Sequence, residues 1–371
     1  MKNKQRMCFQ VSLNKIGIIG GGQLGMMLCE EAKLLGAKTI VLAPSSDAPA
    51  FKIADEHICA TFDDFDALED LCKRADVITY EFENVRSDYL IKLEDKYNIK
   101  QGFKPLFDGQ DRIREKTNAN NHGLKTAKFF DVTTLEDAKK AIKELGYPCL
   151  YKTRTLGYDG HGQVLLKSED DIQNLKEFLG GPGIIEEFIK FDYEASIVMV
   201  SDGKNVINFP ISRNIHKHGI LDLSIVPAGM NKDLEDRMIN ASKNFMLECG
   251  YLGILAIEFF IKGDEFYFNE MAPRPHNSGH YTIEGCNTNQ FRELDRYLLD
   301  LPLEEPKLLY PTVMKNILGQ DVPDVLKYRT LPNAYVHMYG KSEVRHNRKM
   351  GHITFTNMDE EKYNKLVSEA L

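Results

Sequence analysis

At 371 residues the chain is too long for one ordinary hydrophobic core, and it implies two or three domains. Its 43% hydrophobic and 27% charged residues are the make-up of a soluble globular protein, and no apolar run approaches the ~20 residues of a membrane span. A net charge of −8 argues against non-specific nucleic-acid binding, so any anionic ligand must be caught by a local basic patch.

The opening MKNKQRMCFQVSLNK is basic but lacks the apolar stretch of a signal peptide. The next hundred residues alternate apolar runs with amphipathic segments. The spacing predicts strands at Lys15–Ile19, Lys38–Leu42 and Asp76–Phe82, with helices at Gln23–Leu35, Phe65–Lys73 and Ser87–Lys96. Such alternation implies a parallel sheet covered by helices. A polar helix, Gln110–His122, leads out of this domain. Strands then follow at Thr126–Val132, Pro148–Arg154, Gln163–Lys167, Gly183–Phe188, Glu194–Val200 and Val206–Ile211, with helices at Leu135–Leu145, Glu169–Leu179 and Asp233–Glu248. Gly253–Ile261 and Glu265–Met271 read as a hairpin. The proline-bearing stretch Leu301–Pro311 is a domain boundary, and a small β module follows with strands at Thr312–Leu318, Ala334–Tyr339 and His352–Phe355. Cys8, Cys29, Cys59, Cys72, Cys149, Cys249 and Cys286 are scattered and never form a C-x-x-C pair. They predict reduced thiols and a cytoplasmic address, not a disulfide framework or a zinc site.

Four stretches carry chemistry. Gly20-Gly21-Gly22-Gln23-Leu24-Gly25 follows a strand and opens a helix, which suits a dinucleotide, another ligand that needs close backbone approach, or simply the packing of a tight strand-to-helix turn. A dinucleotide site also wants an acid at the end of the second strand, and that strand ends Leu42-Ala43-Pro44-Ser45-Ser46. Thr79-Tyr80-Glu81-Phe82-Glu83-Asn84 places two acids and an amide at the carboxyl end of a strand, where open α/β sheets bind ligands. Lys152 precedes the glycine-rich Gly157–Gln163, which reads as an ordinary glycine hairpin or, with that lysine before it and paired acids downstream, as a phosphate lid; it is not the G-x-x-x-x-G-K-[ST] loop. With a three-residue turn Lys262-Gly263-Asp264, Glu258 would face Phe268 and Ala256 would face Glu270. The two acids would then be diagonal neighbours on one face, roughly 7–8 Å apart, where they could close on magnesium. A two- or four-residue turn would part them.

In this order the pieces resemble the ATP-grasp superfamily and, within it, the N5-carboxyaminoimidazole ribonucleotide synthetase family. The stretches GIIGGGQLG, ITYEFENV, QDR, KTRTLGYDGHGQ, EEF, NIHKHGIL, VPA, IEFF, NEMAPRPHNSGH and YGK carry the resemblance across essentially the whole chain. It implies a mixed α/β and α+β fold with a Rossmann-like pre-ATP-grasp domain over 1–104, an ATP-grasp domain over 105–306 and a C-terminal β domain over 307–371. A mobile lid at about 123–190 belongs to the middle one. The implied reaction is ATP-dependent carboxylation of aminoimidazole ribonucleotide with bicarbonate in de novo purine synthesis.

The resemblance assigns Arg112, Lys152, Gly157, Tyr158, Asp159, Gly160, His161, Gly162, Gln163, Glu186, Glu187, Phe188, Ile189, Glu194, His216, Asn269 and Glu270 to ATP. Glu258 and Glu270 would hold Mg2+. Arg274 and His276, with Tyr158 and Asp159 closing from the lid, would be catalytic. Gly22, Gln23, Leu24, Glu81, Asn84, Arg274, His276, Asn277, Ser278, Lys341 and Arg348 would bind the ribonucleotide. A homodimer and a functional link to the mutase that consumes the product are also implied, with no nucleic-acid or membrane partner. Four positions depart from the family pattern: Met26, His161, Arg213 and the pair His346-Asn347. The rival readings are a formate-using glycinamide ribonucleotide transformylase, a non-catalytic nucleotide sensor and an NAD-dependent dehydrogenase.

Overall fold

The computed structural model describes residues 14–155, 162–357, 361 and 364–365. The N-terminal end and lid positions Gly157, Tyr158, Asp159, Gly160 and His161 lie outside the described residues.

The first domain is a four-stranded parallel sheet in the order Glu56–Cys59, Lys38–Ala43, Lys15–Ile19, Val77–Tyr80. Its two central strands bury nearly every residue, as a sheet covered on both faces requires. The edge strand Glu56–Cys59 was not expected: its side chains alternate between half-buried and exposed, so it lacks the apolar run that marked the others. Helix Gln23–Leu34 opens at Gly22 without a side-chain cap. It packs through Leu24, Met27, Leu28 and Ala32 in a core shared with Phe291, Leu294 and Leu298 of helix Gln290–Leu298. That shared core joins the first domain to the second.

The second sheet has nine strands and runs through both the middle and the C-terminal parts of the chain. From one edge the order is Glu265–Ala272, Gly253–Lys262, Tyr193–Ser201, Ser212–Lys217, Ile220–Val226, Thr312–Leu318, Lys349–Thr356 and Ala334–Met338, and Val206–Asn208 also pairs with Tyr193–Ser201. The C-terminal strands enter by the pairing of Leu223 with Lys315 through Val226 with Thr312. The hairpin Ser212–Lys217/Ile220–Val226 was not expected. Its two-residue loop is His218-Gly219, both with positive φ (52° and 77°), a form usually announced by Asn or Asp before Gly.

The third sheet is four-stranded and antiparallel, in the order Phe129–Val132, Gly183–Glu187, Cys149–Thr153, Gln163–Leu166, and helix Leu135–Leu145 packs on it. Residues 169–175 form a 3-10 helix where an α-helix to Leu179 was expected. The isolated bridge Thr126–Phe268 ties this unit to the central sheet.

The carboxylate hairpin corrects the expected register. Lys262 pairs with Glu265, so the turn has two residues, Gly263 and Asp264, and Gly263 takes the first position with φ 57°. Phe259 accordingly faces Phe268. By parity alone Glu258 and Glu270 should then part. The register slips by one between Glu258 and Phe259, however, and Asn269 is the extra residue of a β-bulge. Glu258 and Glu270 end up directly opposite each other, closer than the diagonal arrangement expected.

Candidate active site

The three sheets enclose a cleft of about 1020 Å³. Three stretches of it can be followed from one end to the other.

The deepest stretch is a buried charge network. Helix Arg112–Asn121 is capped by Asp111, whose Oδ1 accepts from Ile113 and Arg114 N–H, and it turns Arg112, Glu115 and Lys116 inward. Lys152 Nζ donates to Glu186 Oε2 at 3.1 Å, and Lys116 Nζ lies 3.4 Å from Glu186 Oε1. Burial alone would raise the Glu186 carboxyl, but Lys116, Lys152 and Arg112 bring it down to about 2. Lys116 Nζ also donates to the bulged Asn269 O at 3.0 Å, and Lys152 Nζ lies 3.5 Å from Asn269 Oδ1. Arg112 Nη1 donates to Glu270 Oε2 at 3.2 Å. Burial lifts Glu115 to about 8 despite Arg112, and its Oε1 accepts from Met271 N–H at 2.6 Å. Lys152 and Arg112 of this network line the cleft, a surface for polyphosphate, whereas Lys116 is fully buried and does not reach it. Glu187, Phe188, Ile189 and Gln163 line the cleft beside it, together with Phe191 stacked on Phe260 at 4.6 Å between ring centroids. That stack is a flat apolar seat of the kind a base occupies. Gly162 has φ 76° and returns the chain to Thr153 through its carbonyl.

The middle stretch is the carboxylate hairpin. His276 Nε2 lies 3.0 Å from Glu258 Oε1, and His216 Nδ1 lies 3.3 Å from Glu194 Oε2. Burial disfavours the Glu258 anion, but the hydrogen bond and charge of His276, with His216, bring it down to about 2. Burial likewise opposes a charge on His216, and Glu194, Glu258 and Glu270 outweigh it and raise the imidazole above its usual value. Donor atoms of Glu194, His216 and Glu258 lie within 4.8 Å of one another. Glu270 stands apart from that cluster, engaged by Arg112.

At the far end the first and last parts of the chain meet. Glu81 Oε1 accepts from Gly22 N–H at 2.8 Å, and a Cβ on Gly20 would come within 2.6 Å of the same oxygen, so the glycine loop and the TYEFEN strand end fit only as a pair. Burial raises the Glu81 carboxyl, opposed by that N–H and by Arg274. Arg274 grips Glu83 through Nε at 2.8 Å and Nη2 at 2.6 Å. Asn277 and Asn316 exchange amide hydrogen bonds of 3.0 and 2.7 Å. Lys341 donates to Lys349 O at 2.7 Å and Arg348 to Glu343 O at 2.8 Å, and both side chains line the cleft with Gln23, Leu24 and Asn84. Ser278 is not brought to the cleft wall: it is fully buried, and its Oγ lies 2.7 Å from His276 Nδ1.

The sequence reading missed Lys116, Glu115, Phe191, Phe260 and Asn316, and it noted Glu83 without a role. The signal for the first two was present. Arg112, Glu115 and Lys116 are spaced i, i+3, i+4, one face of a helix, but a charged face ordinarily points to solvent.

The fold and this cleft define an ATP-grasp enzyme, and family models agree: residues 13–105 match the ribonucleotide synthetase preATP-grasp domain, 117–291 the ATP-grasp domain, and 312–366 the phosphoribosylaminoimidazole carboxylase C-terminal domain. The N5-carboxyaminoimidazole ribonucleotide synthase of Staphylococcus haemolyticus is 43% identical over 357 residues, covering 93% of this chain and 94% of that one. The ADP complex of the Staphylococcus aureus N5-carboxyaminoimidazole synthetase superposes with a TM-score of 0.92 at 38% identity, over 96% of both chains. The Aspergillus clavatus enzyme, in complex with ADP and 5-aminoimidazole ribonucleotide, gives a TM-score of 0.90 at 28% identity, over 96% of this chain and 97% of that one. The chain belongs to the N5-carboxyaminoimidazole ribonucleotide synthase family.

Proposed function

We propose that this chain is an ATP-dependent carbon–nitrogen ligase that carboxylates 5-aminoimidazole ribonucleotide in de novo purine synthesis. A bicarbonate oxygen attacks the γ-phosphorus of ATP, the bond to the β-bridging oxygen breaks, and ADP leaves carboxyphosphate behind. The 5-amino nitrogen then attacks the carboxyl carbon, and the C–O bond to phosphorus breaks. Phosphate departs with that electron pair and takes up the amine's proton, leaving N5-carboxyaminoimidazole ribonucleotide. One observation carries the reading. A single cleft lines up Lys152 and Arg112, the opposed Glu258 and Glu270, and an Arg274–His276 end rimmed by Lys341 and Arg348.

Lys152 and Arg112 take the phosphates, with Lys116 buried against Glu186 and Asn269 O, and Phe188, Ile189, Phe191 and Phe260 seat the base with Glu194 on the ribose. Gly157 to Gln163 are assigned to ATP as well, and of these Gly162 and Gln163 are described. Glu258 and Glu270 present hard oxygen donors, and Glu258 is held ionised, so they suit a magnesium ion better than a site resting on the His216 imidazole. The ion would neutralise phosphate oxygens, with Arg112 releasing Glu270. Arg274 orients bicarbonate, and His276 lies beside it, hydrogen-bonded to Glu258. Lys341 and Arg348 hold the ribonucleotide's phosphate, and Gly22, Gln23, Leu24, Glu81, Asn84 and Asn277 surround its sugar and ring.

We assign the domains to 1–104, 105–306 and 307–371, and we propose a cytoplasmic homodimer that passes its product to the mutase. No described helix is long and apolar enough to cross a membrane. The deciding assay is ADP release with aminoimidazole ribonucleotide and bicarbonate added separately and together. Full release should need both. Release driven by formate would favour the transformylase, and nucleotide binding without turnover would favour a sensor.

A further inference from the structure

Gln290 is fully buried at the start of helix Gln290–Leu298 and does not line the cleft. Its side chain nevertheless grips the loop that does. Its Nε2 donates to His276 O at 2.8 Å, and its Oε1 accepts from His276 N–H at 2.8 Å. One amide therefore satisfies both backbone polar groups of a residue that lies outside any strand, as a neighbouring strand would. The same Nε2 lies 3.1 Å from His280 Nδ1. The backbone closes tightly around the amide: a Cβ on Gly279 would come within 2.6 Å of Gln290 Oε1. Thr282 Oγ1 completes the ring, accepting from Gln290 N–H at 3.2 Å and donating to Gly279 O at 2.6 Å.

The clamp itself is anchored. Asn289 caps the helix by accepting from Phe291 and Arg292 N–H, and its amide donates to Glu31 Oε1 of the first domain at 2.7 Å. Arg292 Nε donates to the other Glu31 oxygen at 2.8 Å. His276 is thus held twice. Glu258 and Ser278 fix its ring, and Gln290 fixes its backbone from a helix seated on the neighbouring domain.

We propose that Gln290 is a positioning residue for the reaction, acting only through His276: it sets the height and orientation of that imidazole against Glu258. The inference rests on the reading of His276 as facing the reacting groups. A ring misplaced by about 1 Å can cost on the order of a hundredfold in rate without weakening substrate binding.

The test is a kinetic double-mutant cycle. Gln290→Met keeps the side-chain length and removes both hydrogen bonds to His276 along with the contact to His280. It should lower kcat about 10- to 100-fold while the KM values for ATP and aminoimidazole ribonucleotide stay within about twofold. Gln290→Glu retains the acceptor for His276 N–H and should recover part of the loss. In a His276→Ala background, adding Gln290→Met should cost less than about twofold, because the group through which it acts is gone. If Gln290→Met does not fold, Gln290→Glu carries the same cycle. Parental kcat in a folded Gln290→Met, a parallel rise of both KM values, or full additivity on top of a slowed His276→Ala would overturn the inference alone. Parental kcat in His276→Ala would overturn the role given to His276 and the inference with it.

Discussion

Glu270 and Lys341 show how burial and neighbouring charge set what a single side chain can do. Glu270 is the more exposed of the two hairpin acids, with 43% of its side chain accessible, and its partner in this structure is Arg112. Glu270→Gln should therefore leave the melting temperature nearly unchanged while almost abolishing ADP formation. The loss should exceed the roughly 0.5–1.5 kcal/mol of a typical hydrogen bond, because developing phosphoryl charge would go uncompensated. A coupled ADP assay checks this, and near-parental turnover would remove Glu270 from the metal site. Burial, with Arg348 and Lys349 nearby, lowers the Lys341 ammonium to about 8. Its charge is present below that pH and lost above it, so the KM for aminoimidazole ribonucleotide should climb as pH rises past about 8 while that for ATP does not follow. Lys341→Ala should flatten the climb. Lys341→Ala and Arg348→Ala should each raise that KM about 10- to 100-fold, the loss of one charge-assisted anchor. Added salt should do the same to the parent enzyme. Parental ribonucleotide affinity in both variants would place the phosphate elsewhere.

Asp295 carries a prediction that belongs to the packing of two helices. It lies fully buried on helix Gln290–Leu298, neither carboxyl oxygen has a hydrogen-bond partner among the described residues, and burial with Glu31 nearby pushes its carboxyl well above the usual range. The folded chain thus keeps a proton that the unfolded chain releases above a pKa of about 3.9. The stability tied to that proton is complete below the unfolded value and is lost as pH rises toward the folded one. Asp295→Asn removes the titration, so it should raise the melting temperature more at pH 8 than at pH 5, and an equal shift at both would refute the account. The same helix marks a limit of what was legible in the sequence. Its cap, Asn289, was a readable signal that went unused, whereas nothing in its composition pointed to the clamp on His276. In the hairpin, the alternation of Gly253–Lys262 and Glu265–Ala272 revealed two strands and a shared face, but period-two patterning is blind to an inserted residue. The turn was one residue shorter than read, and the bulge at Asn269 restored the facing pair. The carboxylates were thus legible as residues, while their exact opposition came from a backbone irregularity that no side chain announces. Lys116 and Glu115 stayed hidden for the opposite reason: only the folded sheet shows that this charged face turns inward.

Across the whole molecule, a chain of net charge −8 still sets Arg112, Lys152, Arg274, Lys341 and Arg348 along its cleft, interleaved with carboxylates that pair with several of them. The central sheet does not stop at the boundary suggested by the prolines of 301–311. It continues through Thr312–Leu318 into the last strands, and Ile215, Leu223, Ile225 and Val313 share one small core across the join. Truncation after residue 306 should therefore expose the edge of Ile220–Val226 and yield an aggregating or unfolded product, read by size-exclusion chromatography and circular dichroism. A truncated chain that keeps the parental melting temperature would contradict this. The join also bears on how such enzymes can diversify. Recombination works best where a crossover falls in a loose tether, yet here a donor's final segment would arrive needing its ladder partner, residues 220–226, from the same parent. The C-terminal end that brings Lys341 and Arg348 to the cleft cannot be traded as a cassette, and change there must accumulate by point substitution along one lineage.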